Sequence, residues 1–260
     1  VESVAPGYSA PALLLDPRGR LEVATRFWRR GPDEAWLVCD PGDAGRLAAR
    51  LEGYRIRVDV RIDDRSATWG AIAVRGRSAP GLRPVAEAAV AGSGGGTTAH
   101  GWPGVPGFDV VAPLAGLAGA AAALEERAVE VGDDTGYEEL RIRCGVPRSG
   151  AELDRSTFPQ EAFLDVDAVS FDKGCFVGQE VVGRIHARGH VNRYLRHLRP
   201  AEPHVRLAPG AEVVVGTAAV GAVTSSTTGL ALGYVRREVE PPAGAAVAGR
   251  PVVIEALPAR

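Results

Sequence analysis

At Tyr194 the patterning of this chain changes. Beyond it lie short apolar runs at 212–215, 218–224, 230–235 and 251–254, parted by turns that contain glycine or proline. Gly216, Gly221, Gly229, Gly233, Gly244 and Gly249 fall at turn-like spacings, the punctuation of a compact β-barrel closing the chain. Before Tyr194, strand-like and helix-like stretches alternate. Residues 12–15 and 21–27 flank Asp16-Pro17-Arg18-Gly19 and predict a β-hairpin. Residues 35–39 predict a third strand, and Asp43 predicts the cap of a helix running to about Gly53. Residues 55–62 place Ile56, Val58, Val60 and Ile62 on one face of a further strand, followed by another at 68–74. This first third reads as an antiparallel sheet carrying helices on one side.

The glycine-rich run at 92–96 is a flexible loop, with neither the lysine nor the following helix of a phosphate-cradling loop. A short strand at 108–112 and an Ala/Leu-rich helix at 113–127 follow. Residues 137–142 predict a short helix that puts Cys144 in the core, ends at Gly145-Val146-Pro147 and leads into an ordered loop over 148–160. The fold class is therefore α+β. Domains are expected at 1–95 (an α+β subdomain missing part of its start), 96–192 (a second α+β subdomain) and 193–260 (the barrel).

With 260 residues, 45% apolar and 24% charged, the composition is that of a globular protein with a sizeable core. A net charge of −2 argues against a surface built throughout for nucleic acid. Cys39, Cys144 and Cys175 are too few and too dispersed for a disulfide framework, which points to a reducing compartment such as the cytoplasm. Residues 110–124 are Ala-rich, broken by Pro113 and shorter than the ~20 residues of a spanning helix, so no membrane segment is expected. The first ten residues lack a signal-peptide pattern, and position 1 is not Met, so the natural start of the gene product is expected upstream.

Charge changes sign along the chain. Residues 125–167 hold twelve acids and five bases, whereas 173–206 hold seven Lys/Arg, four His and two acids. Aromatic residues in the basic stretch are limited to Phe176 and Tyr194, so an anionic small molecule suits it better than stacked bases; the alternative is a solvated basic face. His186 and His190 lie four apart, but Gly189 ends the helix between them and no third ligand is evident. Asp59, Asp63 and Asp64 read as a solvated turn rather than a metal site.

Within the basic stretch stands Lys173-Gly174-Cys175-Phe176-Val177-Gly178-Gln179-Glu180. Two glycines flank an aromatic residue, and Gly178 hands over to a predicted helix. A cysteine near a helix N-terminus, with Lys173 adjacent, is expected to favour its thiolate and to be a functional group. The competing reading is a small buried filler.

The octapeptide resembles the K-G-C-[YF]-x-G-Q-E signature of the YgfZ-type folate-binding proteins, relatives of the glycine-cleavage T-protein. Residues 104–113, 137–147, Pro159-Gln160-Glu161 and 220–226 resemble further elements of that family in the same order. No counterpart of the family's opening T-G-x-D-like segment stands before Ala10, and no residue matches the T-protein's catalytic aspartate. The resemblance implies two α+β subdomains with antiparallel sheets around a central opening, a C-terminal barrel, and bound tetrahydrofolate or a one-carbon or polyglutamyl derivative. In that picture Glu161 hydrogen-bonds the pterin edge, Lys173 and Arg184 attract the glutamate tail, Gln179 donates or accepts, and Glu180 contacts ligand or caps its own helix. The function implied is a folate-binding accessory role in iron–sulfur cluster assembly or repair, with Cys175 as the thiol and iron–sulfur client or assembly proteins as partners. The alternatives are a folate-dependent aminomethyltransferase or demethylase, which needs a general base, and a nucleic-acid-binding module, whose binding would weaken steeply with salt.

Overall fold

The structure, a computed structural model, describes residues 4–127 and 129–259. It divides into two compact units that interleave along the chain: residues up to Ala12 with Val23–Asp133, and Leu13–Glu22 with the residues from Asp134 onward. The predicted hairpin forms from β1 (Ser9–Leu15) and β2 (Leu21–Arg29), with β3 (Ala35–Cys39) as its third strand. Its turn is built by Asp16, whose Oδ1 accepts the backbone N–H groups of Arg18 and Arg20, both at 2.8 Å. The tip of this hairpin belongs to the second unit.

In the first unit, Trp28 lies opposite Trp36 on paired strands, and Trp69 stands 4.5 Å from Trp36 between ring centroids. Helix α1 (Ala44–Glu52) starts at Asp43 as predicted, but the Asp43 side chain makes no cap bond and pairs with Arg46 at 3.2 Å. Residues 55–62 are not a strand. Arg57 takes φ +60°, which breaks an extended run, and Ile56, Val58 and Val60 are 72%, 60% and 45% exposed. Alternation makes a strand only where a sheet edge and a core receive it.

The chain continues through β4 (Trp69–Arg75), α2 (Ala79–Ala91), β5 (Gly96–Ala99), β6 (Gly107–Pro113) and α3 (Leu114–Glu125). The sheet runs antiparallel in the order β4-β6-β5, with Ile72 opposite Val110 and Thr98 opposite Asp109. It joins strands from both sides of position 95, where the sequence reading set a domain limit. Val74, Ala86, Val90, Phe108, Val110, Ala120 and Leu124 pack as the core between this sheet and its helices. Helix α2 has no counterpart among the sequence expectations. Pro80 in its first turn is tolerated there, whereas Pro84 inside it removes a helix hydrogen bond. Asp109 is buried against Arg75 at 2.6 Å and His100 at 2.5 Å. Burial works to raise its carboxyl, but the interactions with His100 and Arg75 hold it below the ordinary carboxylate value.

The second unit contains α4 (Asp134–Arg143), a 3-10 turn at Pro159–Ala162, α5 (Leu164–Ala168) and α6 (Gln179–Arg188). A closed barrel follows, from β7 (Arg193–Pro200), β8 (Glu212–Val215), β9 (Ala218–Thr227), β10 (Leu230–Arg236), β11 (Ala243–Val247) and β12 (Arg250–Glu255), ordered β10-β7-β12-β11-β8-β9. Leu198, Val213, Val223, Ala231, Val235, Val252 and Ile254 fill the barrel. Ile142 packs with Leu195, Leu230, Leu232 and Tyr234 in a second cluster. The fold class is the predicted one, α+β with a small C-terminal β-barrel. Among the described residues no helix is long and apolar enough to cross a membrane.

Candidate functional site

The octapeptide is a built turn. Gly178 takes φ +81°, and a Cβ there would stand 2.6 Å from the Asp16 carbonyl oxygen and 2.8 Å from the Gly19 Cα. Gly19, itself at φ +77°, lies against Val181 and Val182, so two glycines let the hairpin tip press on the start of α6. Val182, buried beneath them, donates its N–H to the Gly178 carbonyl at 3.1 Å. Gln179 closes the turn from its other side. Its Oε1 accepts the Phe176 N–H at 3.2 Å, while its own N–H donates to the Phe176 carbonyl at 3.2 Å. The Lys173 Nζ lies 4.9 Å from the Phe176 ring centroid, a cation–π contact that places a charge two residues before Cys175.

Cys175 is exposed and lies in an irregular stretch, four residues ahead of the first residue of α6. Cys144 is buried, as predicted, and Cys39 is half-buried. Burial, with Asp43, Asp40 and Asp64 adding to it, pushes the Cys39 thiol up to about 11. One thiol of the three is therefore open to reaction in the folded chain. Phe171 stacks on His186 with ring centroids 3.8 Å apart, which ties the segment before the turn to α6.

Elsewhere in the second unit, residues of α4, β9 and the loop over 148–160 meet in a buried ion-pair network. Arg141 and Glu152 have side chains 1% and 0% exposed and pair at 2.9 Å. Arg141 also donates to Glu138, the Val146 carbonyl and Ser225, and Thr224 and Ser225 donate to Glu152 Oε1 at 2.8 and 2.5 Å. Arg141 lies in the Tyr137–Pro147 segment, and Thr224 and Ser225 lie on β9. The residue that joins them, Glu152, was absent from the sequence candidates. It stands in an aperiodic polar loop, where no pattern marks a buried carboxylate.

Glu161 is buried on the 3-10 turn. Its Oε2 accepts the Phe158 N–H at 3.2 Å and pairs with Arg193 at 3.1 Å, while Oε1 has no hydrogen-bond partner among the described residues. The neighbouring Gln160 donates Nε2 to the Val182 carbonyl at 3.1 Å, which docks the turn on α6, and leaves Oε1 buried without a partner. A buried amide oxygen without a donor, next to the Glu161 carboxylate, fits a ligand that presents N–H groups. Arg184 and Lys173 are exposed cations without an ion-pair partner among the described residues, and Glu180 is exposed in the first turn of α6 without a capping bond. The Gln179 side chain is committed to the turn through its Oε1.

No protein-family profile matches the chain. Over 98% of its length it superposes on the crystal structure of the glycine cleavage system aminomethyltransferase T from Bartonella henselae, with a TM-score of 0.80 and 22% identity, covering 77% of that chain. The fold is that of an aminomethyltransferase. In sequence the chain is 31% identical over 179 residues to the aminomethyltransferase of Herpetosiphon aurantiacus, covering 62% of this chain and 48% of that protein. It is 28% identical over 232 residues to the mitochondrial iron–sulfur cluster assembly factor IBA57 homolog of Cryptococcus neoformans, covering 76% of this chain and 58% of that protein. The chain thus spans about half the length of these relatives.

Proposed function

We propose that this chain binds tetrahydrofolate, or a one-carbon or polyglutamyl derivative, and supports iron–sulfur cluster assembly or repair through Cys175. The observation that carries the reading is the exposed Cys175 on a turn fixed by the Gly19–Gly178 contact and the Gln179 clasp. The assembly-factor relatives supply the process, and the resemblance to folate-binding proteins supplies the ligand. Gln160 Oε1 and Glu161 Oε1 suit the amino and ring N–H donors of a pterin edge, and Lys173 and Arg184 suit an anionic glutamate tail. Bound tetrahydrofolate would carry one-carbon units; the chain contributes binding groups and an accessible sulfur. Cytoplasmic placement and iron–sulfur client proteins as partners belong to the same proposal.

Calorimetry with tetrahydrofolate tests it. Binding is expected to survive Cys175→Ala and to weaken about tenfold, or ~1.4 kcal/mol, in Arg184→Ala. Absence of binding to the wild type overturns the reading. A second reading, a folate-dependent aminomethyltransferase, is favoured by the 31% identity to the Herpetosiphon enzyme. It stands if the chain releases ammonia from an aminomethyl donor in a tetrahydrofolate-dependent assay, and falls if it does not.

A further inference from the structure

Strand β7 carries three arginines, and their situations differ. Arg193 pairs with Glu161 at 3.1 Å, and Arg199 pairs with Glu255 at 3.0 Å. Arg196 has no hydrogen bond or ion pair among the described residues. Glu240, the acid whose charge acts on it, forms no ion pair with it. Its guanidinium is half-buried, and its carbon lies 4.9 Å from the Tyr194 ring centroid and 5.5 Å from that of Phe163. Those two rings stack on each other at 5.4 Å and 17°.

The plate under Arg196 is held at a cost. Phe163 takes φ +58°, a left-handed conformation that costs a residue with a side chain about 1 kcal/mol or more. That strained residue closes the same turn on which Gln160 leaves its Oε1 buried without a hydrogen-bond partner. Burial lowers the Arg196 pKa from the ordinary guanidinium value, because part of its water is already gone. A guanidinium held against aromatic rings, with no acceptor of its own, keeps its N–H donors free for a carboxylate, which can take two of them in parallel.

We propose that Arg196, supported by Phe163 and Tyr194, hydrogen-bonds one carboxylate of the folate glutamyl tail, while Lys173 and Arg184 attract the tail's remaining charge. This assignment rests on the folate reading above and adds a selectivity to it: the site distinguishes folates from pteroates, which lack the glutamyl group.

The test is calorimetry of (6S)-5-formyltetrahydrofolate and of the matching 5-formyltetrahydropteroate on wild type, Arg196→Ala and Arg196→Gln, with Arg199→Ala as control and thermal unfolding to verify each fold. Wild type is expected to prefer the folate by about 10- to 100-fold. Both Arg196 variants are expected to lose that preference while binding the pteroate as wild type does, and Arg199→Ala is expected to retain it. Equal binding of the two ligands by wild type, or Arg196 variants that keep the preference or weaken both ligands alike, overturns the assignment and leaves folate binding standing. Failure of wild type to bind either ligand overturns both. The Gln variant, close in length and planar at its tip, carries the test if Arg196→Ala does not fold.

Discussion

Glu152 shows what one uncharted residue can hold together. Its carboxylate receives Arg141, Thr224 and Ser225, and its backbone carbonyl accepts the Tyr234 hydroxyl at 3.0 Å. Removing it leaves the Arg141 guanidinium buried without its main counter-charge, although Glu138 still contacts it. Loss of one partner of such a pair typically costs ~3–5 kcal/mol, because the remaining charge keeps its desolvation penalty. Glu152→Ala is therefore expected to lose stability of about that size in urea unfolding, with Glu152→Gln in between. A loss below ~1 kcal/mol for Glu152→Ala would mean that Glu138 alone satisfies Arg141. The pairings responsible span 11 residues to Arg141 and 73 to Ser225, so nothing local in the sequence announces them.

Elements differ in how openly the sequence writes them. Residues 35–39 and 212–215 are predicted to the residue, because each apolar run stands between turn signals. β7 escapes such reading: its Arg193-Tyr194-Leu195-Arg196-His197 start mixes basic and apolar residues without a period of two, and the two arginines serve an ion pair and an aromatic contact rather than solvent. Helix α2 is hidden by its two prolines, and residues 55–62 carry a strand pattern with no strand. At the site, Gly178 was legible as a turn-maker, whereas Gln179 was read as a ligand contact and closes the turn instead; Phe163 and Arg196 were not legible, since the stack joins residues 31 apart or more. The Gly178 start of α6 gives a direct check. Gly178→Ala forces a left-handed φ and a Cβ against the Asp16 carbonyl, and is expected to cost about 2 kcal/mol or more in thermal or chemical unfolding. Unchanged stability would show that the hairpin tip yields freely.

The same strand supplies a pH dependence. His197 is buried and donates Nε2–H to the Ile142 carbonyl at 2.7 Å; burial, the leading cause, holds its pKa below the ordinary value of ~6.5. The unfolded chain takes up this proton first as pH falls. Stability is thus fully present above ~6.5 and declines as pH drops through the window down to the folded pKa, by at most ~1.4 kcal/mol per pH unit. His197→Gln, which can still donate to the carbonyl, is expected to flatten unfolding curves across that window; an unchanged slope would assign the dependence to another group.

At the scale of the whole molecule, the second unit is not a contiguous stretch. Its motif helix leans on Leu13–Glu22, where Gly19 meets Gly178 and Leu21 donates its N–H to the Thr157 carbonyl at 2.9 Å. A fragment comprising residues 134–260 is expected to retain slow hydrogen exchange in β7, β9 and β10, whose ladders are complete, and to lose it at α6. Equal protection of α6 in fragment and full chain would show the hairpin tip to be dispensable.

The interleaving also has a temporal side. On the ribosome, the hairpin tip is made about 150 residues before Lys173 emerges. At ~5–20 residues per second that is a wait of roughly 8–30 s, during which the glycine face of the hairpin has no helix to receive. The motif turn can take its final shape only after α6 has been made, so a nascent chain that stops before it displays Cys175 unformed or not at all, and the thiol is assembled together with the unit that positions it.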